Sequence, residues 1–451
     1  MSKNNRIKTL AVDDMTNTGL GVASGNGKVV FVKGGVRGDI AEAEIIKTTK
    51  SFDIARIKRL ITPSPRREVN TCGSYKECGG CVFRHVSYEE ESRAKTRHVA
   101  DCLKKYAGVE IVPEEIQTYS TDFYRNNIRC PIGSGKNGEL FYGFYSERSH
   151  KIIKIEECLT QMKCFTPILK ELFVSLNSRG FSAYDEKSGT GLLRHVCLRC
   201  SLAGKVSLCL VINGAATKSL AETAKEIGEK FENLISFSLN INQNRTNVIF
   251  GGETIVLFEK ERLVESICGK RFEISPLSFF QVNTVTAEML FNKAKEYLNL
   301  KAGEVLLDMY CGAGSVGICV LPDGAKLFGV EEYRGAVEDA KRNAELNGVG
   351  EYGFLCGDAA EGLSACETRF GRPTAIVVDP PRKGLSGKVI NAVISSGAEK
   401  LLYISCNPST LARDISSLIT GGFSPINLAL FDLFPRTSHV ETVVLMSRVE
   451  K

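Results

Sequence analysis

From about residue 273 onward, short apolar runs alternate with spans long enough for a helix, and this alternation constrains the fold more than any other feature of the chain. The runs are Val305 to Tyr310, Lys326 to Val330, Tyr352 to Cys356, Ala375 to Asp379, Lys400 to Ser405, Asn427 to Leu433 and Val440 to Ser447. Apolar strands joined by helices form a parallel sheet covered on both faces. Only Phe434 to His439 separates the sixth run from the seventh. That is too short for a crossover helix, so the two should pair as a hairpin, with the seventh strand antiparallel. Sheets of this kind bind ligands beyond the carboxyl ends of their strands.

The first run leads into Asp308-Met309-Tyr310-Cys311-Gly312-Ala313-Gly314-Ser315-Val316-Gly317. Glycines there allow close approach of backbone to a ligand, because a Cβ would clash. The second run is followed by Glu331, and the third by Gly357-Asp358. Acids at those places can accept from ribose hydroxyls and from an adenine amino group. The loop lacks the spacing of the dinucleotide fingerprint, so the pattern favours S-adenosylmethionine (SAM) over a nicotinamide cofactor. Its cofactor set is Asp308, Tyr310, Gly312, Gly314, Glu331, Asp358 and Asp379. An antiparallel seventh strand is the layout of SAM-dependent methyltransferases.

The fourth run ends in Asp379-Pro380-Pro381-Arg382, and the fifth in Ser405-Cys406-Asn407-Pro408. Both ends should face the methyl group. A nitrogen or oxygen lone pair attacks a methyl group directly, but carbon 5 of uracil is a poor nucleophile. A thiolate adding to C6 makes C5 enolate-like, and a separate base must then remove the C5 proton so that the thiol can leave. Cys406 is the candidate nucleophile and Glu441 the candidate base. Asp379 is expected to orient the ring or its developing charge. Out of context Cys406 would be an ordinary core cysteine, and Glu441 a surface ion-pair partner.

A length of 451 residues implies two or three domains. Hydrophobic content of 43% and charged content of 24% are those of a globular protein. No apolar run reaches membrane-span length and the N-terminus has no signal-peptide core, so a cytoplasmic protein is expected. The net charge of +6 is concentrated in residues 1 to 70, where 13 Lys and Arg face 7 Asp and Glu. A compact basic module suits phosphate backbones. Between Ile7 and about Ile61 short β-rich runs alternate with glycine turns, which predicts a small antiparallel barrel. Pro63-Ser64-Pro65-Arg66-Arg67 reads as a linker. A mixed α+β middle region follows, giving expected domains 1–62, 63–272 and 273–451.

The chain has 16 cysteines, and a disulfide framework is out of place in a reducing compartment. Cys72, Cys78 and Cys81 bring three thiols onto one loop bent by Gly79-Gly80. A fourth thiolate would complete either a cubane cluster or a zinc site, and the longer first gap leans towards iron. Spacing alone does not choose the fourth ligand. Cys197 and Cys200 lie in an extended stretch where residues three apart point to opposite faces, so they should not chelate.

Ser405-Cys406-Asn407-Pro408-Ser409-Thr410-Leu411-Ala412-Arg413-Asp414, Asp379-Pro380-Pro381-Arg382 and His439-Val440-Glu441-Thr442-Val443 are together similar to the RNA (uracil-5-)-methyltransferase family. The closer resemblance is to its branch acting on large-subunit (23S) ribosomal RNA. It implies an enzyme of class EC 2.1.1 with Cys406 as nucleophile and Glu441 as base. In Phe279-Phe280-Gln281-Val282-Asn283 it implies that Gln281 contacts SAM and that Phe279 lies against the target base. It also implies an RNA-binding TRAM (OB-like) barrel at the N-terminus and Cys158 as fourth ligand of a [4Fe-4S] cluster. Arg84 stands where the family usually has glutamine, away from any ligand. Tyr124-Arg125-Asn126 and Arg194-His195 resemble the family's middle domain. Arg125 in particular mixes with aromatics in a way that suits RNA.

The expected partner is 23S rRNA with its uridine flipped out, the expected enzyme a monomer. The alternatives are action on tRNA and a non-catalytic iron-sulfur RNA-binding factor that keeps the SAM fold. An exocyclic-nitrogen methyltransferase would carry an aromatic where Arg382 stands and would leave Cys406 idle. The Pro-Cys-Gln or Thr-Cys-Ser setting of cytosine-C5 enzymes is absent.

Overall fold

The computed structural model describes residues 6–25, 27–147, 149–275 and 278–449. Strands β1 (Ile7–Met15), β2 (Leu20–Gly25), β3 (Lys28–Lys33), β4 (Ile40–Thr48) and β5 (Phe52–Thr62) close a barrel in the order β1-β2-β3-β5-β4. Alternating side chains, among them Leu10, Val12, Val30, Val32 and Ala55, fill its interior. The barrel is not wholly antiparallel as expected, because β3 and β5 run parallel. A closed ring of five strands cannot reverse direction at every step, so at least one parallel contact is unavoidable.

Helix α1 (Tyr88–Ala107) starts at Ser87, whose hydroxyl accepts from the Glu90 amide, and ends at Gly108 in the left-handed region (φ 64°). Its acidic first turn and the basic residues beyond it receive the barrel. Arg37 pairs with Glu90 at 2.7 Å, and Arg93 with Asp14 at 2.6 Å. The other face of α1 buries Val99, Cys102 and Leu103 in the core of the C-terminal sheet.

The central sheet consists of β6 (Asn127–Ser134), β7 (Leu140–Tyr145), β8 (Ile152–Lys154), β9 (Leu193–Cys200), β10 (Val206–Ile212), β11 (Leu234–Ile241) and β12 (Glu253–Glu259). Its order is β12-β11-β10-β9-β6-β7-β8. Helices α2 (Phe165–Ser178) and α3 (Lys218–Lys230) share a core with it. Cys200 joins that core, while Cys197 packs with Cys209 and Val211 in another cluster. The two thiols diverge, as strand geometry requires.

A short hairpin of β13 (Val264–Ile267) and β14 (Lys270–Glu273) leads to α4 (Thr284–Leu298) and the C-terminal sheet. There β15 (Val305–Met309), α5 (Ser315–Val320), β16 (Lys326–Glu331), α6 (Arg334–Leu346), β17 (Glu351–Cys356), α7 (Gly362–Phe370) and β18 (Ala375–Val378) follow in turn. They continue with α8 (Gly387–Ser395), β19 (Lys400–Ser405), α9 (Pro408–Thr420), β20 (Phe423–Phe431) and β21 (Glu441–Arg448). The sheet order is β17-β16-β15-β18-β19-β21-β20, with β21 antiparallel to both neighbours. One core lies on each face: α4 and α5 pack on one side, α8, α9 and α1 on the other. β20 starts at Phe423, earlier than the apolar pattern suggested, because its first half carries the exposed Ile426 and a bulge between Pro425 and Asn427. No described helix is long and apolar enough to cross a membrane.

Candidate active site

Three strand ends meet at one edge of the C-terminal sheet. At β15 the chain turns through Tyr310 (φ 82°), Gly312 (φ 54°) and Gly314 (φ 82°). A Cβ on Gly312 would meet only open space, whereas one on Gly317 would come within 2.9 Å of Asp308 Oδ2. Asp308 is 1% exposed. Its Oδ2 accepts from the Gly317 amide at 3.0 Å, and its Oδ1 is buried without a partner. Burial pushes its carboxyl up to about 7; the Gly317 amide opposes this, and Asp379 and Glu331 add to it. Glu331 accepts from the Gly312 amide at 3.2 Å and the Tyr333 amide at 2.9 Å, bracing the loop. Asp358 is exposed and caps the Ala360 amide at 2.8 Å.

At β19 the strand stops because Asn407 caps the Ser409 amide at 3.1 Å and Pro408 opens α9. The turn leaves Cys406 half-buried at the strand tip. Ser405 pairs with Thr442 in β21 as the last rung of the ladder, and Cys406, one residue past it, lies near enough to Glu441 for the carboxylate to act on its thiol. Burial pushes the Cys406 thiol up to about 11, with Glu441 and Asp379 adding and Arg382 opposing. Glu441, 7% exposed, is pushed up to about 8 by burial and by Asp379. Desolvation at the end of β18 pushes Asp379 up to about 7.

The loop after Asp379 is tied to the Cys406 turn: Asn407 Nδ2 donates to the Arg382 carbonyl at 3.1 Å. Asp414, fully buried in α9, accepts from the Leu385 amide at 2.7 Å and the Tyr403 hydroxyl at 2.8 Å. Arg382 lies 2.8 Å from the His439 ring, whose pKa burial and this guanidinium lower to about 4. The imidazole is therefore neutral at pH 7.

A cavity of about 510 Å³ opens between the cysteine loop, the start of β6 and the β20–β21 connection, and none of Asp308, Asp379, Cys406 and Glu441 lines it. Cys72, Cys78, Cys81 and Cys158 line it, as do Arg125, Phe279, Phe280 and Phe434. Phe279 is 65% exposed. Gln281 borders a different, narrow crevice with Arg199 and Glu265, and its carbonyl accepts from Asn126 at 3.0 Å. No hydrogen bond joins it to the strand-end acids among the described residues.

Residues 87–449 match the family profile described as tRNA (Uracil-5-)-methyltransferase. An uncharacterized RNA methyltransferase of Bacillus cereus is 38% identical over 99% of this chain and 98% of its own length. One of Clostridium tetani is 36% identical over 99% of this chain and 97% of its own. The chain belongs to the RNA (uracil-5-)-methyltransferase family. It is a SAM-dependent enzyme of class EC 2.1.1 acting on uracil C5 in RNA. The crystal structure of Pyrococcus abyssi tRNA (uracil-54, C5)-methyltransferase with S-adenosyl-L-homocysteine superimposes with a TM-score of 0.75 at 25% identity. The match covers 97% of this chain and 99% of the other.

The strand-end geometry fits the cofactor of this RNA (uracil-5-)-methyltransferase. Asp308 has a buried oxygen free to accept, the loop has room at Gly312, and the surrounding acids suit a cationic ligand. SAM supplies an electrophilic methyl group there. The three loop thiols and Cys158 are all free. Cys158 raises the thiol pKa of both Cys78 and Cys81, after burial, which places the sulfurs within electrostatic reach of one another. Among the described residues no group of three or more His, Cys, Asp or Glu is gathered to hold a metal ion. Four thiols are a donor set that either a tetrahedral zinc site or an iron-sulfur cube would need.

Sequence reading did not foresee the Arg382–His439 contact, Asp414, or Phe434, whose ring lies 5.7 Å from that of His439. Asp414 closes the motif around Cys406, but its buried role carried no signal, because a helical aspartate beside an arginine reads as a surface pair. The motif holding Arg382 and His439 was visible, but their contact depends on how two loops fold over one strand end.

Proposed function

We propose that the enzyme makes 5-methyluridine through a covalent adduct, and that Cys406 next to Glu441 at the end of the β19–β21 ladder carries this reading. The Cys406 thiolate adds to C6 of a flipped-out uracil, and the C5–C6 electron pair moves onto C5 and its adjoining carbonyl. C5 takes the methyl group from SAM. Glu441 then takes the C5 proton, the C5–C6 double bond re-forms, and sulfur leaves C6 with its electron pair. Asp379 orients the ring. Arg382 favours the thiolate, and Phe279 and Arg125 hold the target base or its neighbours. Asp308, Tyr310, Gly312, Gly314, Glu331, Asp358 and Gln281 form the SAM site.

Cys72, Cys78, Cys81 and Cys158 would hold a [4Fe-4S] cluster that stiffens the RNA-binding cavity without taking part in the methyl transfer. The three proposed units divide the work: a TRAM-like barrel (1–62) and a central domain (63–272) grip RNA, and residues 273–451 do the chemistry. A specific uridine of 23S rRNA is the target we favour, from the motif set and the cysteine loop. Action on tRNA is the second reading, favoured by the full-length likeness to the archaeal tRNA enzyme. That coverage extends over the barrel, so a barrel does not by itself mark a ribosomal enzyme.

The test incubates the protein and SAM with RNA carrying 5-fluorouridine, whose fluorine cannot leave as a proton does. A conjugate resisting denaturation should map to Cys406. Methylation of ordinary RNA with no such conjugate would overturn the mechanism. Mapping 5-methyluridine in 23S rRNA and tRNA from a strain lacking the protein decides the substrate.

A further inference from the structure

Three ionisable side chains meet without any contact with water: Lys95, Glu91 and Asp432 are each 0% exposed. Lysine is almost never fully buried unless paired. Here Nζ donates to Glu91 Oε1 and to Asp432 Oδ2, both at 2.7 Å. Asp432 also accepts from the Tyr88 hydroxyl at 3.3 Å and from the Phe434 amide at 3.3 Å. It opens the connection from β20 to β21, the segment that ends in His439 and Glu441.

The rest of that connection is held just as closely. Arg436 adopts φ 70°, a left-handed conformation costly for a side chain other than glycine. Its amide donates to Glu91 at 2.7 Å, and its carbonyl accepts from the Val82 and Phe83 amides at 2.8 and 3.1 Å. Its guanidinium donates to the Val86 carbonyl at 2.8 Å and to Glu68 at 3.0 Å. The Tyr124 hydroxyl donates to the Pro435 carbonyl at 2.9 Å. One buried lysine thus links α1 to the hairpin, and Glu91 links the same helix to the strained residue at its apex.

We propose that Lys95, with Glu91 and Asp432, is a positioning device that fixes the β20–β21 connection so that Glu441 and His439 stand against Cys406 and the Arg382 loop. The proposal rests on the reading of Glu441 as the base. Lys95 and Glu91 make no side-chain contact with Cys406 or Glu441 and reach them through the hairpin. Removing the lysine alone would leave Asp432 without a cation in the interior and Glu91 with only the Arg436 guanidinium at 3.6 Å. The informative variant is therefore the double substitution Lys95→Met with Glu91→Gln, which removes one charge of each sign and keeps an acceptor for the Arg436 amide. Asp432→Asn serves as a milder second variant if the double one does not fold.

Each variant, confirmed folded by its melting transition, is assayed for RNA affinity, single-turnover methyl transfer, release of methylated RNA, and trypsin cleavage after Arg436. RNA affinity should stay within about threefold. Release should slow about tenfold or more, with the methylated RNA–protein conjugate accumulating. Cleavage after Arg436 should speed up, because the connection opens locally more often. The device is overturned if Arg436 stays protected and every step declines in proportion to the folded fraction. Glu441→Gln is run alongside. If it traps the conjugate and the Lys95 variant does not, positioning fails and the base assignment stands. If it traps none while the Lys95 variant opens at Arg436 and loses turnover at normal RNA affinity, the device stands and Glu441 is not the base.

Discussion

Cys406 sits among groups that oppose its ionisation: burial and the carboxylates of Glu441 and Asp379 hold its thiol up, with Arg382 and a backbone amide pulling the other way. The free enzyme's thiol is therefore mostly protonated at pH 7, and alkylation of Cys406 by iodoacetamide, followed by peptide mass mapping, should accelerate steadily towards pH 10. Replacing Glu441 with Gln removes a negative neighbour, so the pKa falls and alkylation should be faster at pH 8 to 9; an unchanged rate would separate the two side chains. The same change should trap the methylated conjugate during turnover, since Gln cannot accept the C5 proton. Glu441 itself must be ionised to act. Because burial holds it near pH 8, turnover should rise with pH through that region at saturating SAM, displaced downward by the cofactor's positive charge. A flat profile from pH 6 to 9 would count against a carboxylate base. Cys406→Ala should lower methylation at least about 10³-fold while RNA affinity stays within a few fold.

At the scale of elements, the glycine loop and the β19–β21 ladder do different work. The loop provides space, and its tolerance is set by backbone. A Cβ on Gly317 would press on both Asp308 Oδ2 and the Leu327 side chain, so Gly317→Val should weaken SAM binding about tenfold or more by calorimetry and leave RNA affinity unaltered. Equal loss for both ligands would mean that the sheet edge had collapsed instead. Much of this was legible beforehand. Buried strands have a short apolar signature, and the brief Phe434 to His439 gap left a hairpin as the only way to add the seventh strand. The nearness of Cys406 and Glu441 was not legible, because it depends on β21 inserting between β19 and β20. The first half of β20 stayed hidden because half-exposed edge residues break the apolar pattern, and the parallel β3–β5 contact because it depends on closure of the ring rather than on any local run.

Across the whole molecule, the sequence revealed the parts and not their assembly. The contacts joining them, such as Arg37 with Glu90 and Lys95 with Asp432, lie far apart along the chain, and charged residues in α1 read locally as a solvated face. The cysteine loop shows the consequence most clearly. Its thiols share a cavity with Phe279 and Arg125, and the amides next to Cys81 hold the Arg436 carbonyl. A cluster held there would stiffen the cavity proposed to bind RNA and the connection that leads to Glu441. Protein purified without oxygen should therefore be brown and carry iron and sulfide in cluster stoichiometry, whereas Cys81→Ser should bleach it; a colourless protein with stoichiometric zinc would reject the iron assignment. Loss of the cluster should raise KM for RNA more than it lowers kcat, because the thiols line the binding cavity and take no part in the methyl transfer. If kcat collapsed while RNA affinity and the Arg436 connection were unchanged, the cluster would have to act on the chemistry itself, and the separation between RNA grip and methyl transfer would be wrong.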